Sequence, residues 1–301
     1  MIAGPHHSLL ERLQRPGSAK LLAVVRVVIG VHLLTVFTSP AFGLLARIGG
    51  HPHPMTATWF PAGLERAVAA NIEWLVELGA GLSIAMALGL GTRVVVPFLC
   101  VLFVITQNYW FRSTLFHDDW LYFGFPLLAL GFARTSDAWS LDAWILARWR
   151  AARDEPAPVI DRRQYRWPVE LLVFWFAFTY VAAGVAKLFP LSKGLLWLTG
   201  ISAQEFAVQF VRDSPWYWIL GHAPFDLTMR WPFMLAAFGT VAVELGAGLL
   251  LFTHRYRLPL MLAILALHAS IWMFGIPAFP QMALALGVAL IAPRWFSDAK
   301  P

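Results

Sequence analysis

Long apolar runs constrain this chain more than any other feature of its sequence. A helix needs about 20 mainly apolar residues to cross a bilayer. Only 13% of the 301 residues are charged and 59% are hydrophobic, which leaves too little polar surface to cover a water-soluble globule of this size. The sequence therefore predicts an all-α polytopic membrane protein and excludes a soluble enzyme, a disordered chain and a disulfide scaffold. About eight transmembrane helices are expected, at 20–38, 68–90, 93–109, 118–133, 168–188, 232–253, 257–273 and 276–293.

The positions of the basic residues predict the orientation. Most of the 23 lysines and arginines fall on the side of the membrane that also holds both termini, and the loop 134–167 is especially rich in arginine. Cytoplasmic loops carry such an excess, so we expect a multi-pass plasma or inner membrane protein with both termini in the cytoplasm. The net charge of +6 then reflects topology, and no nucleic acid partner is expected. The aromatic stretch 189–231 faces outward and is expected to lie in the membrane interface.

A duplicated hexapeptide indicates an internal repeat. Glu77-Leu-Gly-Ala-Gly-Leu82 recurs as Glu244-Leu-Gly-Ala-Gly-Leu249. It predicts two parallel four-helix repeats, and the alternative is that these small residues only let helices approach closely. The expected organisation is a cytoplasmic segment 1–19, repeat one 20–133, an inner linker 134–167, repeat two 168–296 and a tail 297–301.

Three charged residues fall inside predicted spans. They are Arg26, Glu77 and Glu244. Buried charges persist only when they are paired, so a structural role in a charged network is expected for all three.

Candidate functional side chains gather at the outer ends of spans. Lys187 ends span five, His117 opens span four and His268 lies in span seven. A lysine among apolar side chains loses hydration, which disfavours its ammonium form, and the neutral amine could take a proton from a phenolic group such as a quinol. A nearby histidine could polarise a substrate oxygen. The candidates for substrate binding are Asp118, Asp119 and Tyr180.

Structural interpretations of the same residues remain open. Lys187 could extend to the headgroups, His268 could be a packing histidine, and the two aspartates could cap span four. The histidine pairs at 6–7 and 51–53 have no third ligand nearby, so no metal site is predicted.

The order of the motifs resembles a known family. The motifs are His117-x-x-Trp-Leu-Tyr, Trp139-Ser-x-Asp142, Ala183-Gly-Val-x-Lys187-Leu, Leu245-x-x-Gly-x-Leu-Leu-Phe252 and finally His268. Over about 20–296 the chain is similar to the HTTM (horizontally transferred transmembrane) domain, the membrane part of vitamin K-dependent γ-glutamyl carboxylase. In that family the lysine is taken to deprotonate the hydroquinone, whose oxidation yields the base that allows carboxylation of glutamate.

The resemblance implies roles for individual residues. Lys187 would be the base, His117 and His268 would lie near the reacting centre, and a reduced quinone of the vitamin K type, such as menaquinol, would be the cofactor. Two departures stand out: the paired lysines of the carboxylase are Ala186-Lys187 here, and the single cysteine, Cys100, cannot form its disulfide.

Three functional hypotheses follow. The first is a quinol-dependent carboxylase-like enzyme or quinol-linked oxidoreductase. The second is a non-catalytic membrane module that binds lipid or quinone and docks an extracytoplasmic partner protein through 189–231. The third, suggested by the duplication, is a transporter.

Overall fold

Every regular element that the structure describes is a helix, in agreement with the all-α prediction. The computed structural model describes residues 15–39, 61–113, 124–223, 226–252 and 256–273. The helices are α1 Ala19–Phe37, α2 Ala62–Leu88, α3 Thr92–Ser113, α4 Gly124–Phe132, α5 Leu141–Ala151, α6 Arg166–Leu188, α7 Leu191–Leu198, α8 Ile201–Phe210, α9 Pro215–Leu220, α10 Trp231–Gly246, α11 Leu249–Phe252 and α12 Arg257–Met273. Short 3-10 turns precede α6 at Arg162–Tyr165 and follow α8 at Val211–Asp213.

Three of the described helices are long and apolar enough to cross a bilayer. They are α1, α2 and the continuous helical stretch Arg162–Leu188. Thr92–Gln107, Trp231–Gly246 and Arg257–Met273 are shorter apolar helices. The expected span 276–293 and the first residues of 118–133 lie outside the described residues.

One expected span is divided. The segment 232–253 was expected to be continuous, but α10 ends at Gly246 and α11 begins at Leu249. At the break the Gly248 N–H donates to the Leu245 carbonyl over three residues, at 3.1 Å, which is a 3-10-type bond. Glycines at 246 and 248 weaken the helix here, because glycine loses more backbone entropy in a helix than any other residue. The same pair at 79 and 81 leaves α2 unbroken, so the glycines permit the break but do not determine it.

The described residues form two compact units, one up to Leu172 and the other from Val173 onward. In the first unit α1 packs against α2, α2 against α3, and α3 against α4. The α1–α2 contact depends on glycine: a Cβ on Gly79 would lie 2.5 Å from the Phe37 ring, and one on Gly30 would lie 2.9 Å from the Ala87 backbone nitrogen. Small residues thus allow the close helix packing that membrane interiors favour.

Arg26 is fully buried in this first unit, and its partners are backbone carbonyls. Its guanidinium donates to the carbonyl oxygens of Thr135 and Trp139, each at 2.5 Å. Asp142, in the first turn of α5, accepts from the backbone N–H groups of Gly91 at 2.8 Å and Thr92 at 3.2 Å. The Trp139-Ser-x-Asp142 motif therefore fixes the turn between α2 and α3, and we call this set of contacts the Arg26 junction.

Glu77 was expected to be a buried charge, but in the structure it is exposed. The buried residues of α2 include Ile72, Gly79, Ser83 and Met86, which recur at helical spacing along one face. Glu77 lies on the opposite face of the helix and is exposed. Glu77 is therefore not part of the buried charged network that was expected from the sequence.

Candidate functional site

A stripe of three residues on one face of α6 carries the candidate site. Tyr180, Gly184 and Lys187 are four and three residues apart, the spacing that puts helical residues on the same face. The tyrosine hydroxyl hydrogen bonds to Nε2 of His268 on α12. The lysine Nζ donates to Oε1 of Glu244 on α10 at 2.6 Å. Four residues singled out in the sequence therefore belong to one site in the second unit.

The lysine–glutamate contact is an ion pair largely shielded from solvent. The two side chains are 20% and 8% exposed, respectively. The ring of Trp197 on α7 also lies near the amine, with its centroid 5.3 Å from Lys187 Nζ, within the range of a cation–π interaction. Lys187 was expected among apolar side chains or extended to the headgroups, and the structure instead gives it a carboxylate partner and an aromatic face.

Glu244 uses only one of its two carboxylate oxygens among the residues that the structure describes. Oε2 is buried and has no hydrogen-bond partner there, while Oε1 accepts from the lysine. An ionised carboxylate offers about four acceptor positions, and buried polar atoms are usually satisfied. Oε2 is therefore a buried acceptor beside a cation, and no donor among the described residues satisfies it.

The tyrosine–histidine pair is buried in the same face of α6. Tyr180 is 8% exposed and His268 is 7% exposed, and their rings meet edge to face with centroids 5.8 Å apart. Phe176, one turn earlier, packs on the tyrosine ring at 4.6 Å between centroids. Seven residues of helix separate this pair from Lys187, or about 10 Å along the axis.

Glycine at position 184 lets the glutamate reach the lysine. A Cβ there would lie 3.1 Å from the Glu244 Cβ and 3.0 Å from the Leu245 side chain. Even an alanine there would require Leu245 or Glu244 to shift by a few tenths of an ångström. The Ala-Gly-Val-x-Lys-Leu motif and the second Glu-Leu-Gly-Ala-Gly-Leu copy, treated separately in the sequence, thus form one contact.

Comparison with known families assigns the chain. The family model of the HTTM domain matches residues 14–295, nearly the whole length. The chain belongs to the HTTM-domain family. No curated protein and no solved structure matches it significantly. The match confirms the family inferred from the order of the motifs, and together with the apolar helices it identifies an integral membrane HTTM protein.

The motifs that identified the HTTM family lie in separate parts of the structure. Trp139-Ser-x-Asp142 belongs to the Arg26 junction, and the lysine motif forms the candidate site. His117, Asp118 and Asp119 lie outside the described residues, so their expected roles stay predictions. In the described part of the chain, no group of three or more His, Cys, Asp or Glu residues is placed to hold a metal ion.

Sequence reasoning missed two features of the site. It assigned Glu244 to a structural network and Lys187 to catalysis, and it did not associate Trp197 with the lysine. Opposite charges beside glycines in two different spans were the available signal for the ion pair. The contact between Lys187 and Trp197 had no comparable signal, because it depends on how α7 folds back after α6.

Proposed function

We propose that this HTTM protein binds a reduced quinone of the vitamin K type, such as menaquinol, and removes a proton from it at the Lys187–Glu244 pair. It would act as a quinol-linked membrane oxidoreductase or a carboxylase-like enzyme. The proposal includes a multi-pass topology in the plasma or inner membrane, with eight spans in two parallel four-helix repeats and both termini in the cytoplasm. The distribution of basic residues and the six apolar helices found among the described residues support that topology.

The observation that carries the proposal is the shielded ion pair with an unused acceptor, Oε2 of Glu244. Among membrane-soluble molecules, a quinol combines an apolar ring that partitions into the bilayer with a hydroxyl that can donate a hydrogen bond. The hydroxyl fits the free carboxylate oxygen, and the Trp197 face beside Lys187 offers a flat aromatic surface. When bound, the reduced quinone would supply an acidic hydroxyl and the two electrons that reduce oxygen.

The remaining candidate residues have positioning roles in this proposal. The hydrogen bond between Tyr180 and His268 holds both rings in place two helical turns from Lys187, where either can contact the ring or substituents of a bound quinone. His117 would act near the reacting hydroxyl, and Asp118 and Asp119 would contribute to substrate binding, as the family resemblance and the sequence suggest.

The second candidate function is a non-catalytic module that docks a partner protein. Its supporting observation is the apolar surface of the segment 189–231, where Leu191, Trp218 and Ile219 are each more than 70% exposed. An interfacial position among lipid headgroups also accounts for these side chains. The two functions predict different results for substitution of Lys187: the rate of oxygen uptake should fall if the protein is an enzyme and stay the same if it is a docking module. Transport remains the third hypothesis.

The test uses the full chain in nanodiscs. Bound quinone is extracted and quantified, and oxygen uptake is followed after addition of reduced phylloquinone. We expect copurified quinone and an uptake above the protein-free rate that Lys187→Met abolishes. The matched control is Glu77→Gln, which alters the exposed copy of the hexapeptide and should leave uptake unchanged.

Other outcomes contradict the proposal. Quinone retained with the same oxygen uptake in wild type and Lys187→Met would favour the binding module. Absence of both quinone and uptake in the wild-type protein would refute the quinol function. Efflux of a soluble compound that depends on Glu77 or Glu244 would favour a transporter.

A further inference from the structure

We infer that Glu244 receives the proton at this site and that Lys187 keeps its own proton and serves as a fixed cation. This inference rests on the proposed quinol function and assigns the two roles within it. It differs from the role that the family resemblance implies for the lysine, and it makes Glu244 a catalytic residue instead of a structural one.

The first argument is the cost of an unpaired buried charge. Glu244 is buried, with its side chain 8% exposed, and Lys187 Nζ is its only hydrogen-bond partner among the described residues. If the lysine were a neutral amine, the carboxylate would remain buried without a counter-charge, an arrangement that proteins avoid. The contact of 2.6 Å from Nζ to Oε1 is the short, charge-assisted geometry of an ammonium facing a carboxylate. An ammonium has no lone pair with which to accept a proton.

The second argument is the position of the free lone pairs. The lysine Nζ already points a hydrogen at Oε1, whereas Oε2 on the same carboxylate is buried and has no donor among the described residues. A hydroxyl that hydrogen bonds to Oε2 satisfies this oxygen and is already aligned for proton transfer. The base that the geometry offers to a ligand is thus the carboxylate.

The third argument is charge balance during the transfer. The hydroxyl O–H bond breaks and a bond forms between the proton and Glu244 Oε2, while the electron pair of the broken bond stays on the ligand oxygen. The pair changes from zero net charge to +1, and Lys187 holds that charge beside the oxygen that has become negative. Lys187 has two further N–H groups available to stabilise it.

Gly184 and Trp197 keep this arrangement in place. The absent side chain at Gly184 lets Glu244 approach α6, with the hypothetical Cβ 3.1 Å from the Glu244 Cβ. The indole of Trp197 covers the lysine from another direction at 5.3 Å. A shielded, fixed cation stabilises developing negative charge more strongly than one in water.

Two substitutions separate the roles. Arginine remains charged and cannot act as a base, so Lys187→Arg retains the cation alone. Glu244→Gln retains the shape and a hydrogen-bond acceptor but removes the base. We expect Glu244→Gln to lower the rate of oxygen uptake about 100-fold or more, and Lys187→Arg to lower it by no more than about tenfold. Glu77→Gln is the matched control, and Glu244→Asp should restore part of the rate.

A second readout does not depend on turnover. Reduced phylloquinone is added without oxygen to the protein in nanodiscs, and the infrared difference spectrum is recorded. We expect the carbonyl-stretch band of a protonated carboxyl group in the wild type and in Glu77→Gln, and its loss in Glu244→Gln. Binding is followed in parallel by quenching of tryptophan fluorescence with oxidised phylloquinone, and size-exclusion chromatography checks that each variant is folded.

The outcomes distinguish this inference from the proposed function. An inactive Lys187→Arg with an active Glu244→Gln would overturn the assignment and make the lysine the base, and the quinol function would survive. Binding without the infrared band in the wild type would also overturn it. No binding and no uptake in the wild type would instead refute the quinol function itself.

Discussion

Gly89 and Gly91 give a direct test of how tightly the Arg26 junction is packed. Both glycines lie in the turn between α2 and α3, with left-handed φ angles of 71° and 57°. Their surroundings differ: a Cβ on Gly89 would overlap the Ser140 Cβ and lie 2.8 Å from Arg26 Cζ, whereas one on Gly91 would meet only Val95, at 3.6 Å. The same substitution at the two sites therefore separates backbone strain from steric overlap.

The expected free energies follow from these contacts. Gly91→Ala should lower the free energy of unfolding by about 1–2 kcal/mol, the cost of a left-handed conformation for a residue with a Cβ. Gly89→Ala carries the same cost and adds about 1–3 kcal/mol for overpacking, because neither Arg26 nor the start of α5 can move without losing hydrogen bonds. The difference between the two variants should thus be about 1–3 kcal/mol.

The assay is equilibrium unfolding in mixed micelles, with both variants and the wild type measured in the same titration series. A compensating variant makes the test specific. Ser140→Gly removes the overlapping Cβ together with the hydroxyl that caps α5 and donates to the Ser136 carbonyl, so by itself it should cost about 1 kcal/mol. In the Gly89→Ala background it should recover part of the lost stability. Equal destabilisation by both alanines, or no recovery in the double variant, would refute the close packing described here.

Two further predictions concern the buried charges. Glu244→Gln and Lys187→Met should each lower the free energy of unfolding by about 3 kcal/mol, because each leaves one charge without its partner. The double variant leaves neither charge and should lose less than either single variant. Additive losses, measured by equilibrium unfolding in micelles, would contradict the ion pair. Arg26→Met should lower the free energy of unfolding by about 2 kcal/mol or more, since it leaves buried carbonyls unsatisfied. The exposed Arg93→Met is its control and should change it by less than about 0.5 kcal/mol, and equal effects of the two would contradict the burial of Arg26.

The sequence predicted a helix correctly where the length of an apolar run is enough to identify it. The expected span 20–38 corresponds closely to Ala19–Phe37, and the expected 168–188 ends together with Arg166–Leu188; both belong to helical stretches long enough to cross a bilayer. Hydropathy works here because a helix in lipid must be long enough and apolar enough whatever its neighbours are. The break after Gly246 escaped prediction, because its glycines are tolerated in many membrane helices that continue.

The candidate site was predicted residue by residue but not as an arrangement. Lys187, Tyr180 and His268 were singled out from their residue types and positions, and the order of the motifs was enough to identify the HTTM family. The bond from tyrosine to histidine and the ion pair of the lysine join residues that lie 88 and 57 positions apart in the chain. The contacts depend on how the helices are rotated relative to one another, and a local sequence pattern carries no information about that rotation.

The two copies of one hexapeptide show where local sequence stops being informative. Its residues alone determined an apolar, glycine-rich segment beginning with a glutamate; the first copy is continuous helix in α2, whereas the second contains the break between α10 and α11. Tertiary structure then decided that Glu77 is exposed while Glu244 lies on the buried stripe of α10 and meets Lys187. The physical reason is that a helix buries whichever face its neighbours contact, and a charge remains on that face only where an opposite charge meets it.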